Sequence, residues 1–356
     1  MLFRKDIEPR CAYCAQGVRI NETQVACMKK GIVAAENHCF RFRYDPLKRV
    51  PPRPARLSTD GLKEVEYSLK NPNTREKRGK TMTPKTVWAV YFSGTGTTER
   101  TVRSVAGELA RMLSVPCRSF DFTRPQARQK ELSFCERDLV VFGTPVYAGR
   151  VPNVLLPYLR EKVRGGGALA VPVVLFGNRN YDDALIELRD LLQADGFGCI
   201  AAGAFVGEHS FSRTLGAGRP DDRDMAGHPA CAREFCGKLA GLAGTVNTPG
   251  AVRGETPIRP YYTPRDRHGN PISILKVKPR TDMAKCGGCG LCAELCPMGS
   301  IDPADVSRVN GICIKCCACV KKCPAGAKYF DDPGYLFHQH ELEDVYTRRA
   351  ENEWFV

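Results

Sequence analysis

The chain has 356 residues, 43% hydrophobic and 26% charged, a balance that suits two or three globular domains. No apolar run is long enough to cross a bilayer and the opening MLFRKDIEPRC lacks the apolar stretch of a secretion signal, so the expected address is cytoplasmic, where 18 cysteines argue for metal ligation and against a disulfide framework. The net charge of +14 is local, because the first 80 residues carry 18 Lys and Arg against 9 Asp and Glu; such runs are usually solvated surface, so nucleic acid is a disfavoured partner.

Residues 1–58 are basic and Cys-rich. Cys11, Cys14, Cys27 and Cys39 would hold a structural zinc, since so short and polar a segment buries too little surface to hold together unaided. A further cluster and four free thiols are the alternatives, and His38 beside Cys39 could substitute as a ligand. Residues 59–84 read as a short helix followed by a charged linker.

From 85 to 245 apolar runs alternate with helical patterns. Strands are expected at 87–92, 117–122, 139–143, 169–177 and 199–207, and helices at 98–113, 126–134, 152–163, 182–194 and near 228–242. No tight hairpin signal joins any two of these strands, so the fold class is α/β, a doubly wound five-stranded parallel sheet. Residues 246–280, rich in Pro, Gly and Arg, form a connector. Residues 281–330 are a small α+β domain, and the tail 331–356 contains one helix.

CGGCGLCAELCP (286–297) and CIKCCACVKKCP (313–324) repeat the pattern Cys-x2-Cys-x2-Cys-x3-Cys-Pro. In that run three thiolates hold one [4Fe-4S] cube and the fourth crosses to the other. Cys286, Cys289, Cys292 and Cys323 are thus assigned to one cluster, and Cys313, Cys316, Cys319 and Cys296 to the second. Zinc, the competing reading, has no use for evenly stepped triplets. Cys317 falls outside the spacing and is read as an unligated thiol. This region resembles a two-cluster bacterial ferredoxin domain, which moves single electrons.

After the first strand of the sheet comes SGTGTTER (93–100), a Gly- and Thr-rich turn that presents backbone N–H groups and a helix start to an anion. It is neither a Walker loop nor a dinucleotide fingerprint. Ser93-x-Thr95-Gly96-x-Thr98 resembles the flavodoxin phosphate signature, and the five-strand alternation is similar to that fold. The resemblance implies FMN, with Ser93, Gly94, Thr95, Gly96, Thr97 and Thr98 at its phosphate. It implies ring contacts from the loops after the third and fourth strands: Pro145, Val146, Tyr147 and Gly149, with Asn178, Arg179, Asn180 and Tyr181 nearby. His209 and Arg219, after the fifth strand, open on the same edge and are candidates for flavin or substrate contact.

The whole order resembles bacterial flavodoxin-ferredoxin fusion proteins, here with an extra N-terminal segment. The function expected from that resemblance is electron transfer between FMN and two [4Fe-4S] clusters, with redox proteins as donor or acceptor. A flavin-dependent reductase of a small molecule is the alternative, favoured by a His or Tyr acid beside the ring. A metal-binding protein associated with nucleic acid is the third reading.

Overall fold

The computed structural model describes residues 9–21, 23–45, 48, 83–241 and 252–356. The helix and linker expected over 59–84 lie outside the described residues except at 83 and 84. The chain divides into two units, Met1–Arg75 and Glu76–Val356.

In the first unit β1 (Gly17–Arg19), β2 (Gln24–Cys27) and β3 (Gly31–Ala34) form an antiparallel sheet. Among its described residues the buried apolar side chains are Cys14, Val25 and Ala35. Val25 fits because Gly17, which pairs with Cys27 on the neighbouring strand, has no side chain: a Cβ there would clash with a Val25 methyl. Three side chains are a very small core, which is the condition under which small domains need a metal or a covalent staple.

The second unit opens with β4 (Thr86–Tyr91), α1 (Thr97–Leu113), β5 (Cys117–Asp121), β6 (Leu132–Ser133), β7 (Asp138–Pro145) and α2 (Leu156–Lys162). It continues through β8 (Val163–Arg164), β9 (Leu169–Phe176), α3 (Ala184–Ala194), β10 (Gly198–Cys199), β11 (Ala202–Val206) and α4 (Asp222–Ala240). The main sheet runs β5-β4-β7-β9-β11, all parallel. In order of appearance this is 2-1-3-4-5, the flavodoxin-like order of doubly wound sheets. Strand alternation divides the core: Val87, Ala89 and Tyr91 pack with Val102, Leu109 and Phe235 of α1 and α4, whereas Val90 and Phe92 share the opposite face with Leu159, Leu185 and Leu188 of α2 and α3.

Three local readings change. The helix expected at 126–134 is a 3-10 turn, Pro125–Gln129, followed by β6, because Phe134 is drawn against Trp88 and Phe197 at centroid distances of 5.6 Å each. The fifth strand is split into β10 and β11, both pairing with β9. The helix expected near 228–242 starts at Asp222, where Asp221 and Asp224 form a reciprocal capping box.

Beyond residue 252 the chain contributes β12 (Arg280–Thr281), the one-turn helices α5 (Leu291–Glu294) and α6 (Ala318–Lys321), β13 (Lys328–Tyr329), α7 (Pro333–Val345) and β14 (Glu353–Phe355). β12 pairs antiparallel with β13 and closes the Cys-rich segment on itself. The tail holds more than its expected helix: β14 adds to the main sheet antiparallel to β11, with Gly203 opposite Trp354. The five parallel strands thus gain an antiparallel edge. Among the described residues no helix is long and apolar enough to cross a membrane.

Arg219 is 4% exposed and ties this tail to α4, donating to Asp224 carboxylate oxygens at 2.9 and 2.5 Å and to the Ala350 carbonyl at 2.7 Å. Truncating one partner of a buried pair strands the other charge, so Arg219→Met is expected to lower stability by about 3–5 kcal/mol in chemical denaturation. Asp195 presents the reverse case. Its Oδ2 is buried without a partner among the described residues, and burial pushes its pKa up to about 6, against the pull of Arg164 and Arg160. Ionisation therefore destabilises the fold, by nothing below the ordinary carboxylate pKa of about 4 and fully above the folded-state value. Asp195→Asn should raise Tm at pH 7–8 and leave it unchanged at pH 3.5.

Candidate functional site

The β4–α1 loop has an unusual hydrogen-bond inventory. Ser93 N–H donates to Thr123 Oγ1 at 2.8 Å, and Ser93 Oγ accepts from Glu99 N–H at 3.1 Å. The N–H groups of Gly94, Thr95, Gly96, Thr97 and Thr98 have no acceptor among the described residues. Five adjacent donors at a helix start, with Gly96 left-handed at φ 104°, form a nest suited to an anion. Thr98 is 2% exposed, and its methyl would lie 3.2 Å from a Cβ on Gly143, with a Val102 methyl nearer still. Its hydroxyl has no partner among the described residues. These residues fit a phosphate, and Ser93 differs from expectation in that its hydroxyl braces the loop.

Two further loops meet at the same carboxyl edge. After β7, Ala148 (φ 50°) and Gly149 (φ 76°) make a tight turn in which Tyr147 and Arg150 pair. Val146 N–H is held by the Leu175 carbonyl at 2.8 Å, and Thr144, just before Pro145, has a buried hydroxyl without a partner. Gly149 admits the second loop, since a Cβ there would lie 2.4 Å from Asp182 Oδ2.

In that second loop the expected ring residues have other work. Asn178 Nδ2 donates to the carbonyls of Tyr346 and Arg348 at 2.8 and 2.7 Å, while its Oδ1 accepts from Ala350 N–H at 3.0 Å. Tyr181 is in the core, its hydroxyl donating to Glu353 Oε2 at 2.6 Å. Arg179 pairs with Asp182 and covers the Tyr262 ring at 4.6 Å. Asn180 Oδ1 accepts from Asp182 N–H at 2.9 Å, an Asx turn. The tail captures the side chains of Asn178 and Tyr181, while Arg179 and Asn180 are used within the loop and against Tyr262. His209 and Arg219 follow the same pattern: Arg219 holds Asp224, and burial, with His338 nearby, pulls the His209 pKa down to about 4, leaving a neutral ring that accepts Phe211 N–H at 3.2 Å.

The two cysteine runs repeat one backbone. Gly288 and Gly290 have φ of 68° and 71°, and the equivalent Lys315 and Cys317 have 54° and 58°; the pattern closes with Gly299 and Gly326 at 60° each. Cys296 Sγ accepts Ser300 N–H at 3.4 Å, and Cys323 Sγ accepts Ala327 N–H at 3.3 Å. Each fourth cysteine is tied towards the other run. Ser300 Oγ donates to the carbonyl of Ile312, next to Cys313, at 2.7 Å, and Ala327 accepts from Asp282 N–H, whose own carbonyl accepts from Cys286 N–H. Burial raises the Cys316 and Cys319 pKa values, and Cys313 and Cys296 raise them further. For Cys292 burial is again the leading cause, with Cys286 adding to it. Burial would also raise Cys323, but backbone N–H groups at 325–328 outweigh it and the net shift is downward. Thiol-only donors amid converging backbone amides fit iron-sulfur chemistry. Cys317 stands apart, its sulfur 3.4 Å from both the Lys315 carbonyl and the Tyr335 hydroxyl.

The Cys-rich segment lies directly on the carboxyl edge of the sheet. A Cβ on Gly94 would sit 3.0 Å from Cys316 Cβ and 3.5 Å from its sulfur. Burial pushes the Tyr147 hydroxyl well above its ordinary pKa, with added contributions from Cys316, Cys317 and Cys313. The segment is clamped on both flanks: Arg128 donates to the Pro297 carbonyl at 2.5 Å and Arg124 pairs with Glu294 at 2.8 Å, while Lys321 pairs with Glu208 and bonds to the Ser212 carbonyl. None of these partnerships has a sequence signal, since each joins residues more than a hundred positions apart.

In the N-terminal unit Cys11, Cys14, Cys27 and Cys39 line one pocket together with Lys29 and Lys30. Burial raises the Cys11 pKa, and Cys39, Cys27 and Cys14 add to it. The four thiols thus share one pocket, although among the described residues no three His, Cys, Asp or Glu side chains converge at the spacing of a single metal ion. His38 is exposed and outside that lining.

The second unit thus joins a flavodoxin-like sheet to an iron-sulfur segment. Residues 279–302 match the 4Fe-4S binding domain family, Fer4, a span that includes the first cysteine run. Similar solved structures include the flavodoxin of Streptococcus pneumoniae TIGR4, 19% identical over 43% of this chain and 99% of that one, with a TM-score of 0.31. A short-chain flavodoxin associated with a non-canonical PDU bacterial microcompartment is 15% identical over 43% and 98%, TM-score 0.32. An apo NADH:FMN oxidoreductase, EMOB, is 16% identical over 46% and 95%, TM-score 0.32. No curated protein matches the chain.

Proposed function

We propose that this chain is an electron-transfer flavoprotein, in which FMN at the carboxyl edge of the sheet exchanges electrons with two [4Fe-4S] clusters, and the clusters with a partner redox protein. The observation that carries this reading is the contact of Gly94, in the phosphate loop, with Cys316. It sets a cluster ligand against the flavin loop with no intervening layer. FMN supplies two-electron chemistry and each cube one-electron chemistry.

The chain's own asymmetry supports an order for the relay. Cys313, Cys316, Cys319 and Cys296 are the proposed ligands of the flavin-side cluster; Cys316, Cys317 and Ala318 of that run are buried. Cys286, Cys289, Cys292 and Cys323 are the proposed ligands of the outer cluster. There Cys289 is exposed, and a Cβ on Gly287, Gly288 or Gly290 would meet nothing within 4 Å. The outer run is thus the side a partner protein can approach. Zinc is proposed for the four N-terminal thiols, as the staple their small core calls for.

The single test is anaerobic purification with iron, sulfide, zinc and flavin quantification, followed by stepwise reductive titration. About eight cluster irons and one FMN per chain are expected, with flavin and iron-sulfur absorbances bleaching in a coupled sequence. Cys317→Ala should keep full iron content, whereas Cys316→Ala and Cys296→Ala should each damage the same cluster. Colourless protein, or equal iron loss in Cys317→Ala and Cys316→Ala, defeats the reading.

One observation favours the alternative, a flavin-dependent reductase of a small molecule. Tyr262 donates its N–H to the Ala148 carbonyl at 2.9 Å, and its ring lies 5.9 Å from that of His338. A Tyr and a His therefore stand over the loop expected to border the flavin. Tyr262→Phe should leave electron exchange between flavin and clusters intact if the chain is a relay, and abolish turnover if the phenol is the proton donor of a reductase; steady-state assays beside the titration separate the two.

A further inference from the structure

We infer that Lys322, carried by the iron-sulfur segment, is the cation of the phosphate site in the β4–α1 loop, so that the flavin phosphate is held jointly by both segments. The inference rests on the FMN reading above and names a residue that the loop's own pattern cannot supply. Loop residues 93–99 contain no Lys or Arg. Of the first basic side chains of α1, Arg100 is exposed and Arg103 pairs with Glu99 at 3.3 Å. Lys321 is committed to Glu208 and the Ser212 carbonyl.

Lys322 caps α6 at its C-terminal end. Its ammonium nitrogen lies 4.0 Å from where a Cβ on Gly96 would stand. The residue is exposed, its backbone N–H donates to the Ala318 carbonyl at 3.0 Å, and its ammonium has no hydrogen-bond or ion-pair partner among the described residues. Around the same point are five N–H donors without acceptors among the described residues and Thr98, 2% exposed as a residue, whose hydroxyl has no partner among them. The glycine explains the approach, since Gly96 at φ 104° is a conformation L side chains rarely adopt, and its bare Cα leaves room for both ammonium and phosphate.

A nest of amides and a helix start bind a phosphate through partial charges, which suffices for a neutral-hydroxyl site. Adding a full positive charge beside that nest strengthens binding of the phosphate and makes it depend on ionic strength. Because Lys322 adjoins Cys323 and follows the turn that carries Cys316 and Cys319, a bound phosphate would also pin the cluster segment to the sheet. Phosphate occupancy and cluster docking become one coupled event.

The experiment uses the full chain with clusters intact and flavin removed, titrated with FMN and, as the probe lacking a phosphate, riboflavin, following flavin fluorescence. Wild-type protein is expected to bind FMN more tightly than riboflavin. Lys322→Gln should weaken FMN about tenfold at low salt and leave riboflavin unchanged, and Lys322→Arg should retain most of the FMN affinity. The wild-type preference for FMN should shrink as salt rises, a readout that needs no variant; iron and sulfide content checks that each variant is folded. Equal FMN affinity in Lys322→Gln and wild type overturns the role of Lys322 alone. So does an equal loss of riboflavin affinity, which would mean packing and not charge. Failure of the wild type to bind FMN at all removes the flavin reading together with it.

Discussion

Gly94 and Cys316 approach so closely that a single added methyl would press against the cysteine side chain, and the arrangement of the second unit depends on that contact. A parallel sheet whose chain turns outward in both directions from β4 leaves a crevice at its carboxyl edge, between β4 and β7. In a stand-alone domain that crevice faces solvent. Here the iron-sulfur segment lies against it, held on one flank by Arg124 and Arg128 and on the other by Glu208 and Ser212. That direct contact leaves no layer between the β4–α1 loop and the second cysteine run.

The iron-sulfur segment shows how one backbone is realised with two side-chain sets. At the two left-handed positions of the first run stand Gly288 and Gly290, and at those of the second stand Lys315 and Cys317. A non-glycine residue there costs about 1–2 kcal/mol each. The second run offsets this through contacts that the first lacks: Lys315 donates to the Leu275 and Cys313 carbonyls at 2.8 Å each, and Cys317 is enclosed with Phe330 and Tyr335. The run with glycines is the open one, and the run with side chains is the one packed inward.

The connector and tail determine which groups remain free at the edge. Asp183 accepts from the Arg259 guanidinium and backbone, which hold its carboxyl down at a pKa of about 2. Tyr261 donates to the Val151 carbonyl at 2.8 Å. These bonds lay the 252–262 stretch across the β7 loop, while Asn178 grips the chain at 346–350. Between them they cover the ring loops with protein, so access to that edge is shaped by residues far away in the chain.

The sequence by itself determined the elements whose cause is local. Apolar runs placed β4, β7, β9 and β11, because burial on both faces demands them whatever the tertiary partner, and also the edge strand β5, though four of its five residues are exposed; thiols at steps of three, three and four pointed to iron-sulfur chemistry, which the 4Fe-4S domain match over 279–302 supports. The Gly-Thr loop was legible for the same reason, its amides being oriented by its own turn. What only the tertiary structure decided was how polar side chains were used. Asn178 and Tyr181 look like ligands in a string of letters and are tail anchors in space. Lys322 reads as a surface charge, and only the fold puts its exposed ammonium beside Gly96. β14 was unreadable from three residues, Glu353–Phe355, whose strand character comes from an open edge 150 positions earlier in the chain. A hydrogen bond has no sequence period, and its partner is settled only when the sheet edge, the connector and the cluster segment compete for the same few donors.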